Sequence, residues 1–217
     1  MQKIMKIGAI LLILVGMAGF AQAQSFQIIP MGGYQFPAGV DVSYNAGTGL
    51  GYIPARLRIK GNENYGVGLH VNLPFQDITI SASFSNMESE VTIDPYNEPL
   101  TKLFDASQEY WMFGILKEID MDQLRPFGGL ILGWTTVRPK DSEYQNASKF
   151  SVGLEGGVKY FFNDVVGIMV HARLLLPVQW VGAGFTIGTG GTGAGLTTGS
   201  SIIQGDVGGG LIIAFGR

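Results

Sequence analysis

The stretch Ile78-Thr79-Ile80-Ser81-Ala82-Ser83-Phe84-Ser85 alternates without exception. One set of positions carries Ile78, Ile80, Ala82 and Phe84, and the other carries only hydroxyls. Successive strand side chains point to opposite faces, so this period of two specifies a strand with one apolar face and one small polar face. The pattern recurs on both sides. Tyr65, Val67, Leu69, Val71 and Leu73 oppose Gly66, Gly68, His70 and Asn72. Over 150–162, Phe150, Val152, Leu154, Val158, Tyr160 and Phe162 oppose Ser151, Gly153, Glu155 and Lys159. Val166, Ile168, Val170, Ala172, Leu174 and Leu176 then face away from His171 and Arg173. The last alternating run sets Ile203, Val207, Leu211, Ile213 and Phe215 against Gln204, Asp206 and Gly210. Residues 26–36, 106–117 and 125–138 read as three further, less regular strands. The total is eight, each near the roughly 9–11 residues that a tilted membrane strand requires. Residues 56–60 also alternate and are expected to extend the first hairpin above the membrane.

The connections sort by length. Those at 74–77, 118–123 and 163–164 are short; those at 37–63, 89–105, 139–147 and 177–200 are long. Long and short alternate strictly, beginning and ending with a long one. An even-stranded membrane barrel with both termini in the periplasm requires that order, while a soluble sandwich has no reason for it. The loop Met87 to Asp105 carries the acids Glu88, Glu90, Asp94 and Glu98 and two prolines; it is expected to be a solvated loop, with recruitment of cations or a partner as the alternative.

Composition agrees. Charged residues make up 14% of the 217 residues, against about 25% in an ordinary soluble domain. Beyond the N-terminus no apolar run approaches the roughly 20 residues of a membrane helix. A net charge of -3 argues against nucleic acid as a partner. No cysteine is present, so neither disulfides nor thiolate metal sites are expected. At the N-terminus, Lys3 and Lys6 precede the apolar stretch 7–20, and Ala21-Gln22-Ala23 supplies a small-x-small cleavage pattern. Residues 1–23 therefore read as a signal peptide, and 24–217 as a single exported barrel domain.

Alternation alone would also suit a soluble lipocalin-like carrier with its apolar face inward. Such a surface needs roughly a quarter to a third charged residues. The polar faces here are mostly Gly, Ser, Thr and Asn, which suit a crowded interior. Aromatic residues near strand ends, among them Tyr65, Phe84, Phe150, Tyr160, Phe162 and Phe215, suit interfacial girdles. The apolar face is therefore expected to meet lipid. The inward set is then His70, Glu155, Lys159, His171, Arg173 and Asp206, with Glu109 and Arg138 at its margin. Isolated ions in a narrow barrel are prohibitive, so a mixed-sign network is expected across the lumen, with Glu155, Lys159 and Arg173 close together. Its expected role is a structural lock filling the barrel; a gated pore or a proton-sensitive plug is the alternative.

Three motif matches carry no weight. Gly188-x-Gly190-x-x-Gly193 has dinucleotide-binding spacing, but no helix pattern follows it. Asn146-Ala147-Ser148 fits a glycosylation pattern that has little meaning in a bacterial envelope protein. The two histidines, His70 and His171, lie within strands and not beside a serine and an acid at one surface, so no catalytic residue, metal or cofactor is expected.

The run Arg125-Pro126-Phe127-Gly128-Gly129, the hairpin Gly156-Gly157-Val158-Lys159-Tyr160-Phe161 with its turn Asn163-Asp164, and the terminal Leu211-x-Ile213-x-Phe215 together carry a resemblance. They resemble the small outer-membrane β-barrel family typified by OmpA, OmpX and OmpW, including Bacteroidetes-type members, over essentially the whole mature chain. Gly216 and Arg217 after the terminal aromatic depart from the family pattern. The resemblance implies a Gram-negative outer membrane, contact with its lipid and lipopolysaccharide, insertion by the barrel-assembly machinery, and a monomer. Fold class is thus all-β: an eight-stranded antiparallel up-and-down transmembrane barrel behind a cleaved signal peptide. The expected role is structural or surface-presenting. Alternatives are a narrow channel for small or apolar solutes, a lipid-modifying enzyme, and a soluble carrier.

Overall fold

In the computed structural model, the described residues are 25–44, 53–73, 77–95, 101–141, 146–177, 185–188, 195–198 and 203–216. The signal-peptide segment 1–23, Glu98, Gly190 and Gly193 lie outside them. Twelve strands are present among the described residues: β1 Ser25–Gln35, β2 Ala38–Tyr44, β3 Ile53–Ile59, β4 Asn62–Asn72, β5 Ile78–Pro95, β6 Thr101–Glu118, β7 Leu124–Pro139, β8 Ala147–Phe161, β9 Val166–Pro177, β10 Phe185–Gly188, β11 Gly195–Thr198 and β12 Gln204–Phe215. Eight of them close a ring in the order β5-β4-β1-β12-β9-β8-β7-β6, with β6 returning to β5. Every pairing is antiparallel, and the first and last ring strands meet through Phe26 opposite Phe215 and Tyr34 opposite Val207.

Alternation sets the two surfaces of the wall. Ile80, Leu154 and Ile168 are 41%, 53% and 42% exposed on the outside, while Ser81, Glu155 and Arg173 are 3%, 7% and 4% exposed in the lumen. A broad band of exposed leucine, isoleucine and valine on the outside of a closed barrel is a lipid-facing wall. Aromatic residues edge it. Phe84, Trp111, Trp134 and Phe150 lie in one continuous register across β5 to β8, and Phe26 stacks on Phe215 near the termini. Interior volume is shared between large and absent side chains. A Cβ on Gly157 would lie 2.8 Å from the tip of the Phe127 ring, so the missing side chain lets that ring lie across the lumen.

Tight turns gather at the end that holds the termini. Asn163 closes the β8–β9 turn by accepting from the Val165 and Val166 amides at 2.9 and 2.8 Å, a local bond that Asn side chains favour. The β6–β7 turn uses Asp122 at φ 62°, a region that short polar residues tolerate.

The opposite end differs from expectation. Residues 37–63 hold β2 and β3, and 177–200 hold β10 and β11. Most of 89–105, expected as a loop, is strand: β5 and β6 continue well past the aromatic row, and Glu88, Glu90 and Asp94 sit on β5. Alternation persists there through Val91 and Ile93 against Phe104 and Ala106. A register slip beside Val91/Thr92 leaves Leu103 unpaired on β6 and breaks the visible period. On its other edge β5 pairs with β3 from Val91 onward, Ile59 opposite Val91 and Leu57 opposite Ile93. The alternating residues 56–60 thus belong to a hairpin above the apolar band, as expected.

Candidate functional site

Polar side chains meet in three tiers in the lumen, among buried apolar residues such as Ile29, Met112, Leu116, Ile131 and Met169. At the tier nearest the termini, Glu118 is buried and gathers four partners. Lys159, wholly buried, donates to it; Thr79 Oγ1 and Asn72 Nδ2 donate at 3.2 and 3.3 Å; Arg125 lies 3.8 Å away. Arg125 also pairs with Asp120 at 2.7 Å and lies 5.2 Å over the Phe161 ring. Above this, the Phe127 ring separates Lys159, 5.5 Å from its centroid, from His70, which meets its edge at 6.2 Å.

The middle tier is built by β9 and β12, which pair Arg173 opposite Asp206. Arg173 Nε lies 3.0 Å from both Asp206 oxygens, and His171 Nε2 lies 3.5 Å from one of them. Arg173 Nη2 also reaches Ser85 Oγ at 3.5 Å. Strands β9 and β5 are four places apart whichever way the ring is counted, so this contact spans the full diameter. The third tier does the same. Tyr110 on β6 donates to Gln204 on β12, diametrically opposite, and accepts from Gln35 and Gln108, each at 2.7 Å.

All six inward candidates are buried, each under 8% exposed, but they do not form one cluster. His171, Arg173 and Asp206 meet directly; His70 and Lys159 lie a tier lower. Lys159 pairs with Glu118 and not with Glu155, because four residues along a strand span about 13 Å. Glu109 and Arg138, placed at the margin of the inward set, point outward and pair with each other at 2.9 Å. They share the outward parity of Trp111 and Trp134 but lie beyond the aromatic row. Glu118, Arg125, Tyr110, Gln35 and Gln108 were not legible as lumen residues, whereas Gln204 was read on the polar face with Asp206. Glu118 falls at a strand end that reads as a turn, and Tyr110-Trp111-Met112-Phe113 is apolar on both faces.

Beyond the aromatic row the outer wall is ionic. Arg58 pairs with Asp94 at 2.7 Å, Lys140 with Glu88 at 2.9 Å, Lys60 with Glu90 at 3.5 Å and Lys102 with Asp105 at 2.9 Å. The bond to Asp105 holds the Lys102 ammonium above the usual lysine range. Among the described residues no group of three His, Asp or Glu side chains could hold a metal ion.

No family model matches the sequence, and no curated relative does. Solved structures match over nearly the whole length. OprG, an outer-membrane protein of Pseudomonas aeruginosa, aligns over 89% of this chain and 97% of its own, at 12% identity and TM-score 0.64. Neisserial surface protein A aligns over 88% and 97%, at 11% identity and TM-score 0.51. The chain has the fold of a small outer-membrane β-barrel. Its apolar band, aromatic edges and polar interior are what that environment demands of such a barrel.

Proposed function

We propose that this outer-membrane barrel is a closed structural element that holds a rigid β-extension outside the membrane and presents it at the cell surface. One observation carries this reading: side-chain bonds cross the whole lumen at two heights, Arg173 to Ser85 and Tyr110 to Gln204, above a buried Lys159–Glu118 pair. An eight-stranded interior is just wide enough for side chains, and here they are bonded to one another, which opposes a conducting path. The test is planar-bilayer conductance of the refolded protein. Silence is the expected result; reproducible openings altered by Arg173→Ala would replace this reading with a narrow channel.

Partners follow from the same wall. Lipid covers the apolar band, and the ionic outer wall stands at the height of lipopolysaccharide headgroups and sugars. Leu211, Ile213 and Phe215 on the last strand are the segment for the barrel-assembly machinery to read. Residues 1–23 act as a signal peptide, so the mature protein begins at Gln24; intact-mass measurement of the membrane form checks this. The barrel acts as a monomer without catalytic activity, and an unchanged lipid A mass spectrum in a deletion strain is the corresponding expectation.

A further inference from the structure

The lipid-facing wall is not uniform. Among the described residues, Lys117 is the only charged side chain on the outward face of the ring strands between the turns and the aromatic row. No described group pairs with it. It is exposed near the end of β6, opposite Gly128 on β7. The register continues from Gly128 to Gly156 on β8 and on to Ala172 on β9. Lys117 is the next-to-last residue of its strand, whereas Ala172 lies mid-strand, so this row of small residues climbs from the periplasmic end toward the middle of the wall. It opens into an apolar groove of about 510 Å³ between Gly129, Leu130, Leu154, Gly156, Ala172 and Leu174. Glu155 and Arg173 contribute to its floor, with their side chains buried in the lumen.

Barrel packing does not account for the outward glycines. A Cβ on Gly129 would lie 2.1 Å from the Ile115 carbonyl oxygen, and one on Gly157 would lie 2.1 Å from that of Val170, so the neighbouring positions admit no side chain. On Gly128 and Gly156 a Cβ would meet nothing nearer than 3.6 and 3.7 Å, which is ordinary contact. Neither has a left-handed backbone. A strand glycine that its own fold does not require weakens the strand and marks the close approach of something else.

We propose that Lys117 and this groove bind one glycerophospholipid of the periplasmic leaflet, its phosphate on the Lys117 ammonium and an acyl chain lying over Gly128 and Gly156 into the groove. Charge and length both select this occupant. An ammonium on a lipid-facing wall is stabilised where its flexible stem lets the head reach phosphate. Three inter-strand steps of about 4.8 Å carry the row about 14 Å from Lys117 to Ala172. That is close to one leaflet's half of a roughly 30 Å hydrocarbon core. Lipid A, anchored in the opposite leaflet, would set its phosphates beyond the aromatic row, far from Lys117. The proposal rests on the apolar band facing lipid and stands whether or not the barrel conducts.

Native mass spectrometry of the protein extracted from outer membranes in mild detergent tests it. One retained glycerophospholipid is expected. Occupancy should fall about tenfold in Lys117→Gln, the loss of one charge-assisted hydrogen bond, and comparably in Gly156→Leu, which fills the groove. Lys140→Gln, above the aromatic row, should leave it unchanged. Heat-modifiable gel mobility establishes that each variant is a closed barrel. No adduct in the parent, lipid A as the adduct, loss in Lys140→Gln, or unchanged occupancy in either closed variant of the site overturns the proposal. Should a variant fail to close, photo-crosslinking of the parent decides, in vesicles of phosphatidylethanolamine and phosphatidylglycerol carrying a mid-chain diazirine lipid. Label concentrated on β7 to β9 around Gly156 supports the site, and label spread evenly round the wall overturns it. Recovery of the parent in the aqueous fraction without detergent would remove the lipid-facing wall itself, and the proposal with it.

Discussion

The barrel wall passes through two surroundings, and its outward face changes polarity between them. In the membrane half, Leu130, Leu154 and Ile168 face out while Glu118, Lys159, Arg173 and Asp206 face in. In the outer half, Arg58, Lys60, Asp94 and Lys140 face out, while Leu57, Ile59, Val91, Ile93 and Phe104 form a buried apolar cluster. Each half follows the same rule: the surface facing the bulk matches the bulk, lipid below and water above. In the membrane half bonded polar tiers hold the walls together beside a buried apolar cluster that includes Ile29, Met112, Leu116, Ile131, Met169 and Ile212. Water surrounds the outer half, and a conventional apolar core forms there.

The contrast is broken most severely by removing one charge from the lowest tier. Glu118→Ala leaves Lys159 buried without its carboxylate and should cost about 3–5 kcal/mol in urea unfolding from lipid vesicles. Glu118→Leu combined with Lys159→Met should recover most of that loss, since a well-packed apolar pair often replaces a buried ion pair at no net cost. In the outer half the sensitive change is a cavity. Leu57→Ala should cost about 2–5 kcal/mol, read as faster amide exchange in β2 and β3 with the ring strands of the membrane half unchanged. On the lipid wall, Leu154→Arg should cost about 2–4 kcal/mol, again by unfolding from vesicles. Asp94→Ala, on the ionic wall, should change stability by about 1 kcal/mol at most, and less at high salt. Equal sensitivity to Leu154→Arg and Asp94→Ala would erase the distinction between the halves.

The sequence announces the membrane half clearly because lipid tolerates few exceptions. Ile78 to Ser85 and Val166 to Leu176 alternate cleanly, and the structure turns them as that alternation requires. The outer half was legible only at Arg56 to Lys60. Elsewhere the unpaired Leu103 interrupts the period, and acids at Glu88, Glu90 and Asp94 read as a solvated loop although they line one side of a strand. Within the lumen, inward parity identified His70, Glu155, Lys159, His171, Arg173 and Asp206. Partners did not follow from parity, because a barrel interior joins strands that are remote in sequence. Lys159 reaches Glu118 across 41 positions, and Tyr110 reaches Gln204 across 94.

Because β5 runs for 18 residues without a break, roughly 60 Å of backbone at strand rise, no joint separates the part held by lipid from the part standing clear of it. A load applied at the exposed tip is carried by the hydrogen-bonded ladders of β5 to β8 straight into the bilayer-embedded wall. The extension cannot bend at the membrane surface like a tethered domain. It leans only when the whole cylinder leans.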